Sequence, residues 1–151
     1  MQPTFTATIE HVNQTTSKAT VRTHTVLVDR SVTKGGFDLG PAGGEYLLVS
    51  LGGCFTSHLL AAIRARETAI TNVRVAVTGA LTGTPERFTA FSMDVSADCQ
   101  DAELARKLIT IAGRACQVVN TLRHVATIGL TYQGAPTELD EAAPVSAALQ
   151  V

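Results

Sequence analysis

Glu45-Tyr46-Leu47-Leu48-Val49-Ser50-Leu51-Gly52-Gly53-Cys54-Phe55 begins the stretch that decides how this chain folds. From Glu45 to Glu67, apolar residues cover nearly the whole circumference of a helix. Such a helix is expected to be enclosed on most sides. Tyr46 to Ile63 is 18 residues without a formal charge, which reaches the lower length limit of a membrane span. Ser50, Gly52, Gly53, Thr56, Ser57 and His58 interrupt it, and Arg64, Arg66 and Glu67 close it. That polar content points to burial in protein, with no membrane partner. A chain of 151 residues can scarcely surround such a helix alone, so a second copy is expected to complete the burial in a homodimer.

The flanking sequence supplies the rest of the fold. Thr4 to His11 alternates small polar and apolar residues and reads as a strand, Asn13 to Ser17 as a turn, and Ala19 to Val28 as one long strand. Ser31 to Gly44 holds five glycines and Pro41 and reads as a loop. Beyond the helix, Ile70 to Thr82 alternates, Gly83-Thr84-Pro85-Glu86 turns, and Phe88 to Ala97 returns, giving an antiparallel hairpin. Asp101 to Ala112 is an amphipathic helix, with Asp98 or Asp101 as its start signal and Gly113 as its stop. A short helix from Cys116 to Leu122 and a strand from Val125 to Tyr132 follow. The tail from Gly134 onward is weakly patterned. Strands and helices are segregated, so the expected class is α+β with largely antiparallel sheet, in one domain with its core at about residues 4–133.

Composition narrows the function. The 12 Lys and Arg against 13 Asp and Glu are scattered without a basic run, so nucleic acid is not the expected partner. Met1-Gln2-Pro3-Thr4 lacks the basic start and apolar core of a secretion signal, which points to a reducing, cytoplasmic setting. Three cysteines there are apolar fillers or chemistry rather than structural disulfides. Cys54 follows two glycines, each costing a helix interior about 1 kcal/mol relative to alanine. Either they admit a crossing element past an inert Cys54, or they open a path to a reactive one. His58 shares its face four residues on. It is either a neutral hydrogen-bonded residue or an imidazolium that lowers the thiol pKa. If Gly113 ends its helix, Cys116 falls at the start of the next: either free N–H groups and the helix dipole favour a thiolate there, with Arg114 adding to the effect, or it is a buried helix-start cysteine with no reactivity. Nothing activates Cys99. Cys99, Cys116 and His124 are possible further zinc ligands beside Cys54 and His58, but no CxxC or HxxxH pair supports a metal site.

The segment Glu45 to Phe55, preceded by Gly40-Pro41, resembles the central-helix signature of the OsmC/Ohr superfamily. Cys116-Gln117-Val118-Val119-Asn120-Thr121-Leu122 resembles its second-cysteine motif, with Gln117 where the family pattern has proline. Asp29-Arg30 and Lys34-Gly35-Gly36 resemble the loop before the helix. The likeness covers roughly residues 5–133. It implies the OsmC-like fold, antiparallel sheets around a long central helix in an intertwined homodimer, and reduction of hydroperoxides by a cysteine pair. Cys54 would be the peroxidatic thiolate and Cys116 the resolving thiol, restored by an external dithiol, with no cofactor because sulfur carries the electrons. The resemblance also implies a polarising acid and cation, for which Glu45 and either Arg30 or Lys34 are the candidates. The alternatives are an OsmC-like dimer that binds a lipid or other small molecule, and a redox sensor.

Overall fold

The computed structural model describes residues 2–139. They fall into two compact units divided between Leu47 and Leu48, inside the long helix.

The first unit holds a three-stranded antiparallel sheet of β1 (Thr8–His11), β2 (Ser17–Val21) and β3 (His24–Val28), in that order. Asn13 makes the first turn, its Oδ1 accepting from the Thr15 and Thr16 N–H groups at 3.1 and 3.0 Å. The single strand expected over Ala19–Val28 is instead a hairpin. Val21 pairs with His24 across Arg22-Thr23, and Arg22 takes a left-handed φ of 57°. A two-residue hairpin loop needs that conformation at its first position. Here an arginine supplies it, without the usual glycine or asparagine.

The glycine-rich loop is ordered by Asp29, which is 3% exposed. Its Oδ2 accepts from Thr16 Oγ1 at 3.0 Å, Phe37 N–H at 3.2 Å and Leu39 N–H at 3.1 Å, and its Oδ1 from Arg30 N–H at 2.7 Å. Burial raises its pKa, but the hydrogen bonds to Leu39, Arg30 and Thr16 outweigh burial and hold it at about 2. Gly36 packs so closely on the Arg30 carbonyl that an added Cβ would lie 2.0 Å from that oxygen. A one-turn 3-10 segment, Val32–Lys34, sits within the loop.

The second unit is built on a four-stranded sheet in the order β4 (Thr71–Thr82), β5 (Arg87–Asp98), β6 (Thr127–Tyr132), β7 (Ala135–Thr137). β4 and β5 form the expected antiparallel hairpin. β6 runs parallel to β5, returned by α2 (Ala102–Ala115) and α3 (Gln117–Leu122). β7 was not expected from the weakly patterned tail. It closes on β6 through Gln133-Gly134, both at positive φ, 48° and 76°. The rest of that tail, from residue 140, lies outside the described residues.

The helix α1 (Gly43–Ala65) presents Leu51, Phe55, Leu59 and Ile63 to the core. Burying each such side chain contributes about 1.5–3 kcal/mol. Leu59 and Ile63 share a small enclosed space with Val73 and Val95 of the sheet and Ala105 and Ile109 of α2, and Met93 and Leu108 are fully buried as well. Enclosure stops there. Val49 and Leu60 of α1 remain exposed, and a third of its apolar stretch is buried within the chain. The helix is long and apolar enough to cross a membrane by length and composition. Its uncovered side is a fact of this one chain, in which the sheet and α2 pack on one side only.

α2 starts where Asp101 caps it, accepting from Leu104 N–H at 2.9 Å. It does not stop at Gly113 but runs on to Ala115. Gly113 is a packing residue. An added Cβ would lie 2.8 Å from Leu139 Cδ1 and 3.5 Å from Leu130 Cδ1.

Candidate active site

Cys54 and His58 lie four residues apart on α1 and so share a face. Both are half-buried. The two glycines before Cys54 have different surroundings. Gly52 is buried against β4, where an added Cβ would lie 2.6 Å from Val77 Cγ2. Gly53 faces open space, beside a groove of about 650 Å³ walled by Leu48, Leu60, Val75 and Val77. Cys54 is not part of that wall. The glycines therefore serve a close helix–strand approach and an open flank.

Cys116 is fully buried and joins two helices. Its N–H donates to Ala112 O at 3.0 Å, ending α2, and its sulfur accepts from Val119 N–H at 3.5 Å, starting α3. Of the two readings of Cys116, a thiolate favoured by the helix start and a buried thiol, burial prevails: the pKa is raised from 9.0 to about 11. Burial is the largest cause and outweighs the Val119 N–H; the neighbouring Cys54, within side-chain hydrogen-bonding reach, raises it further. The two sulfurs, from distant parts of the sequence, are thus neighbours, and both are free thiols.

Gln117, the first residue of α3, joins the site from the other side. Its Oε1 accepts from Cys54 Sγ at 3.4 Å and lies 3.0 Å from His58 Nε2. One amide oxygen therefore links the thiol and the imidazole. Arg114 stands in the last turn of α2, its carbonyl accepting from Asn120 Nδ2 at 3.0 Å. Cys99 lies apart in the sequence and donates to the Asp101 carbonyl at 3.0 Å. Among the described residues, no group of three or more His, Cys, Asp or Glu side chains could hold a metal ion.

Residues 35–131 match the family model described as OsmC-like protein. The chain belongs to the OsmC-like family. Solved structures share the fold of this OsmC-like chain at low identity. An OsmC-like protein from Mycoplasma pneumoniae is 17% identical, with a TM-score of 0.74 over 87% of this chain and 99% of that one. An organic hydroperoxide resistance protein from Elizabethkingia anophelis is 17% identical, with a TM-score of 0.69 over 87% and 96%. One from Legionella pneumophila, named OsmC, is 16% identical, with a TM-score of 0.69 over 87% and 98%. No curated protein sequence matches the chain.

Of the candidates named from the sequence of this OsmC-like protein, the structure brings Cys54, His58 and Cys116 together. Glu45, Arg30 and Lys34 belong to the first unit, and each has its own setting there. Glu45 Oε2 accepts from the Ala42 N–H at 2.7 Å, the role of an acid in a first helical turn. Arg30 is exposed, and its carbonyl accepts from Asp38 N–H at 3.1 Å. Lys34 is exposed at the end of the 3-10 turn. Gln117 was not among the candidates. Its one signal in the sequence was a departure from the family pattern, at the residue after Cys116.

Proposed function

We propose that this OsmC-like protein reduces hydroperoxides through Cys54 and Cys116, organic hydroperoxides among them. The observation that carries the reading is the proximity of the two thiols, one half-buried and one fully buried. The half-buried Cys54 is the sulfur that a peroxide can approach. Its thiolate attacks the O–O bond of ROOH, forming Cys54–SOH while the alkoxide leaves and takes a proton as ROH. Cys116, kept as a thiol by burial, condenses with the sulfenic acid, forming the disulfide and releasing water. An external dithiol then reduces the disulfide by exchange and is itself oxidised. A reducing compartment such as the cytoplasm supplies dithiols of that kind. The names of the Elizabethkingia and Legionella structures agree with this chemistry.

The test is a thiol count before and after one equivalent of cumene hydroperoxide. The expected result is loss of two thiols per chain, absent in Cys54→Ser. Unchanged thiols would overturn the reading. They would favour a second one, a dimer that binds a small molecule without reducing peroxide. The Gln117 carboxamide on Cys54 is uncharged and favours a thiolate less than a cation would, which speaks for that second reading.

A second copy is proposed as the cover for the bare side of α1. The groove beside Gly53 is walled by aliphatic side chains, and Val49 and Leu60 lie exposed on the same helix. An apolar surface of this kind on a soluble chain marks an interface.

A further inference from the structure

The contact between Gln117, Cys54 and His58 fixes more than a position. An amide oxygen carries no hydrogen, so both of its partners must donate. With Oε1 turned inward, Cys54 is a thiol and His58 carries its proton on Nε2. Ionise Cys54, and its sulfur faces the amide oxygen as a second acceptor. The contact then turns repulsive. Rotating the carboxamide by about half a turn relieves it, since the two ends of an amide are nearly the same size. The NH2 group has two hydrogens. One can point at the thiolate and the other at His58 Nε2, provided that nitrogen is bare. The neutral imidazole with its proton on Nδ1 meets that condition. The imidazolium does not.

We propose that Gln117 is a positioning residue whose carboxamide couples the ionisation of Cys54 to the tautomer of His58. Oxygen inward holds the thiol and the Nε2–H form; nitrogen inward holds the thiolate and the Nδ1–H form. The proton of Cys54 leaves to solvent. His58 loses one proton at Nε2 and gains one at Nδ1 through water, so its charge does not change. His58 on its own helix and Cys116 at the junction of α2 and α3 are titratable groups of this site. Cys116 stays protonated through neutral pH. The inference rests on the reading of Cys54 as the ionising thiol and supplies its proton-linked partner.

The experiment needs no peroxide. Alkylation of Cys54 by iodoacetamide, followed on its own peptide by mass spectrometry, gives the pH midpoint for the thiolate. Nitrogen-15 spectra of the histidine ring give the tautomer of His58 over the same range. In the parent protein His58 should change from Nε2–H to Nδ1–H as Cys54 ionises. In Gln117→Leu the midpoint should rise, slowing alkylation at neutral pH by about tenfold, the loss expected for one hydrogen bond to a charged group. His58 should no longer follow Cys54. Gln117→Glu, which offers only oxygens, should raise the midpoint further and keep Nε2 protonated. Gln117 is exposed, so these variants should fold. A His58 tautomer that stays the same on both sides of the Cys54 titration overturns the coupling, and so does an unshifted midpoint in Gln117→Leu. If His58 follows Cys54 while cumene hydroperoxide consumes no thiol, the coupling stands and the peroxidase reading falls.

Discussion

Cys116 is fully buried while its neighbour Cys54 is half-buried. Under the proposed chemistry, chemically identical groups take different work: the accessible one meets oxidant, the protected one waits. It follows that Cys116→Ser, treated with one equivalent of cumene hydroperoxide, should hold Cys54 as a sulfenic acid that dimedone labels. Absence of the adduct would reverse or remove the assignment. Gly52 makes a separate case. Its missing side chain lets α1 lie against Val77, and a Cβ there would meet that methyl at 2.6 Å. Gly52→Ala should therefore lower stability by about 1–3 kcal/mol, read from urea denaturation, although alanine is the better helix former. At this scale the sequence was partly legible. Cysteines announce themselves, and a glycine pair beside one asks for a reason. A glutamine does not, because its value here comes from what α3 points it at. The choice between an activated and a buried Cys116 was not legible for a related reason: helix-end N–H groups can be read from order along the chain, whereas burial depends on everything folded around it.

Among the elements, the long helix, the β4–β5 hairpin and the capped start of α2 were legible because each rests on local pattern: apolar circumference, alternation, and an aspartate three residues before the amide that it accepts from. The β2–β3 hairpin was not, because Arg22 takes the left-handed turn position where glycine or asparagine would have signalled it. Gly113 misled in the opposite sense. It looks like a helix stop and is instead a small residue under Leu139 and Leu130. Side-chain packing can hold a glycine within a helix, and local sequence does not reveal that packing. The loop before α1 carries its own prediction. Its amides converge on Asp29, whose folded pKa of about 2 lies below the ordinary 3.8. A lowered carboxyl pKa adds stability above the ordinary value, and that stability is lost as pH falls toward the folded one. Melting temperature should therefore fall between about pH 4 and pH 2, and Asp29→Asn should be less stable at neutral pH with a flatter acid limb. Equal slopes in the two proteins would show that some other group governs the acid limb.

For the whole molecule, the class of fold was legible before any coordinates, since two spaced motifs and a segregated order of strands and helices agree with an OsmC-like chain. The parallel pairing of β5 and β6 was not, because no local pattern distinguishes a strand that returns parallel from one that returns antiparallel. The bare flank of α1 leads to the prediction at this scale. Light scattering without detergent should give twice the mass of the chain at micromolar concentration. Leu60→Glu, set into the groove wall, should shift the mass toward that of one chain. A single-chain mass for the parent protein would remove the proposed interface. The parallel pairing also bears on timing. The β4–β5 hairpin closes through near neighbours and can form early, but β6 cannot dock until α2 and α3 have carried the chain back across the sheet. Cys116 rides on that crossover. While the chain is still being made, its thiols are strangers, and an oxidant met then finds single sulfurs rather than the pair proposed to close and reopen.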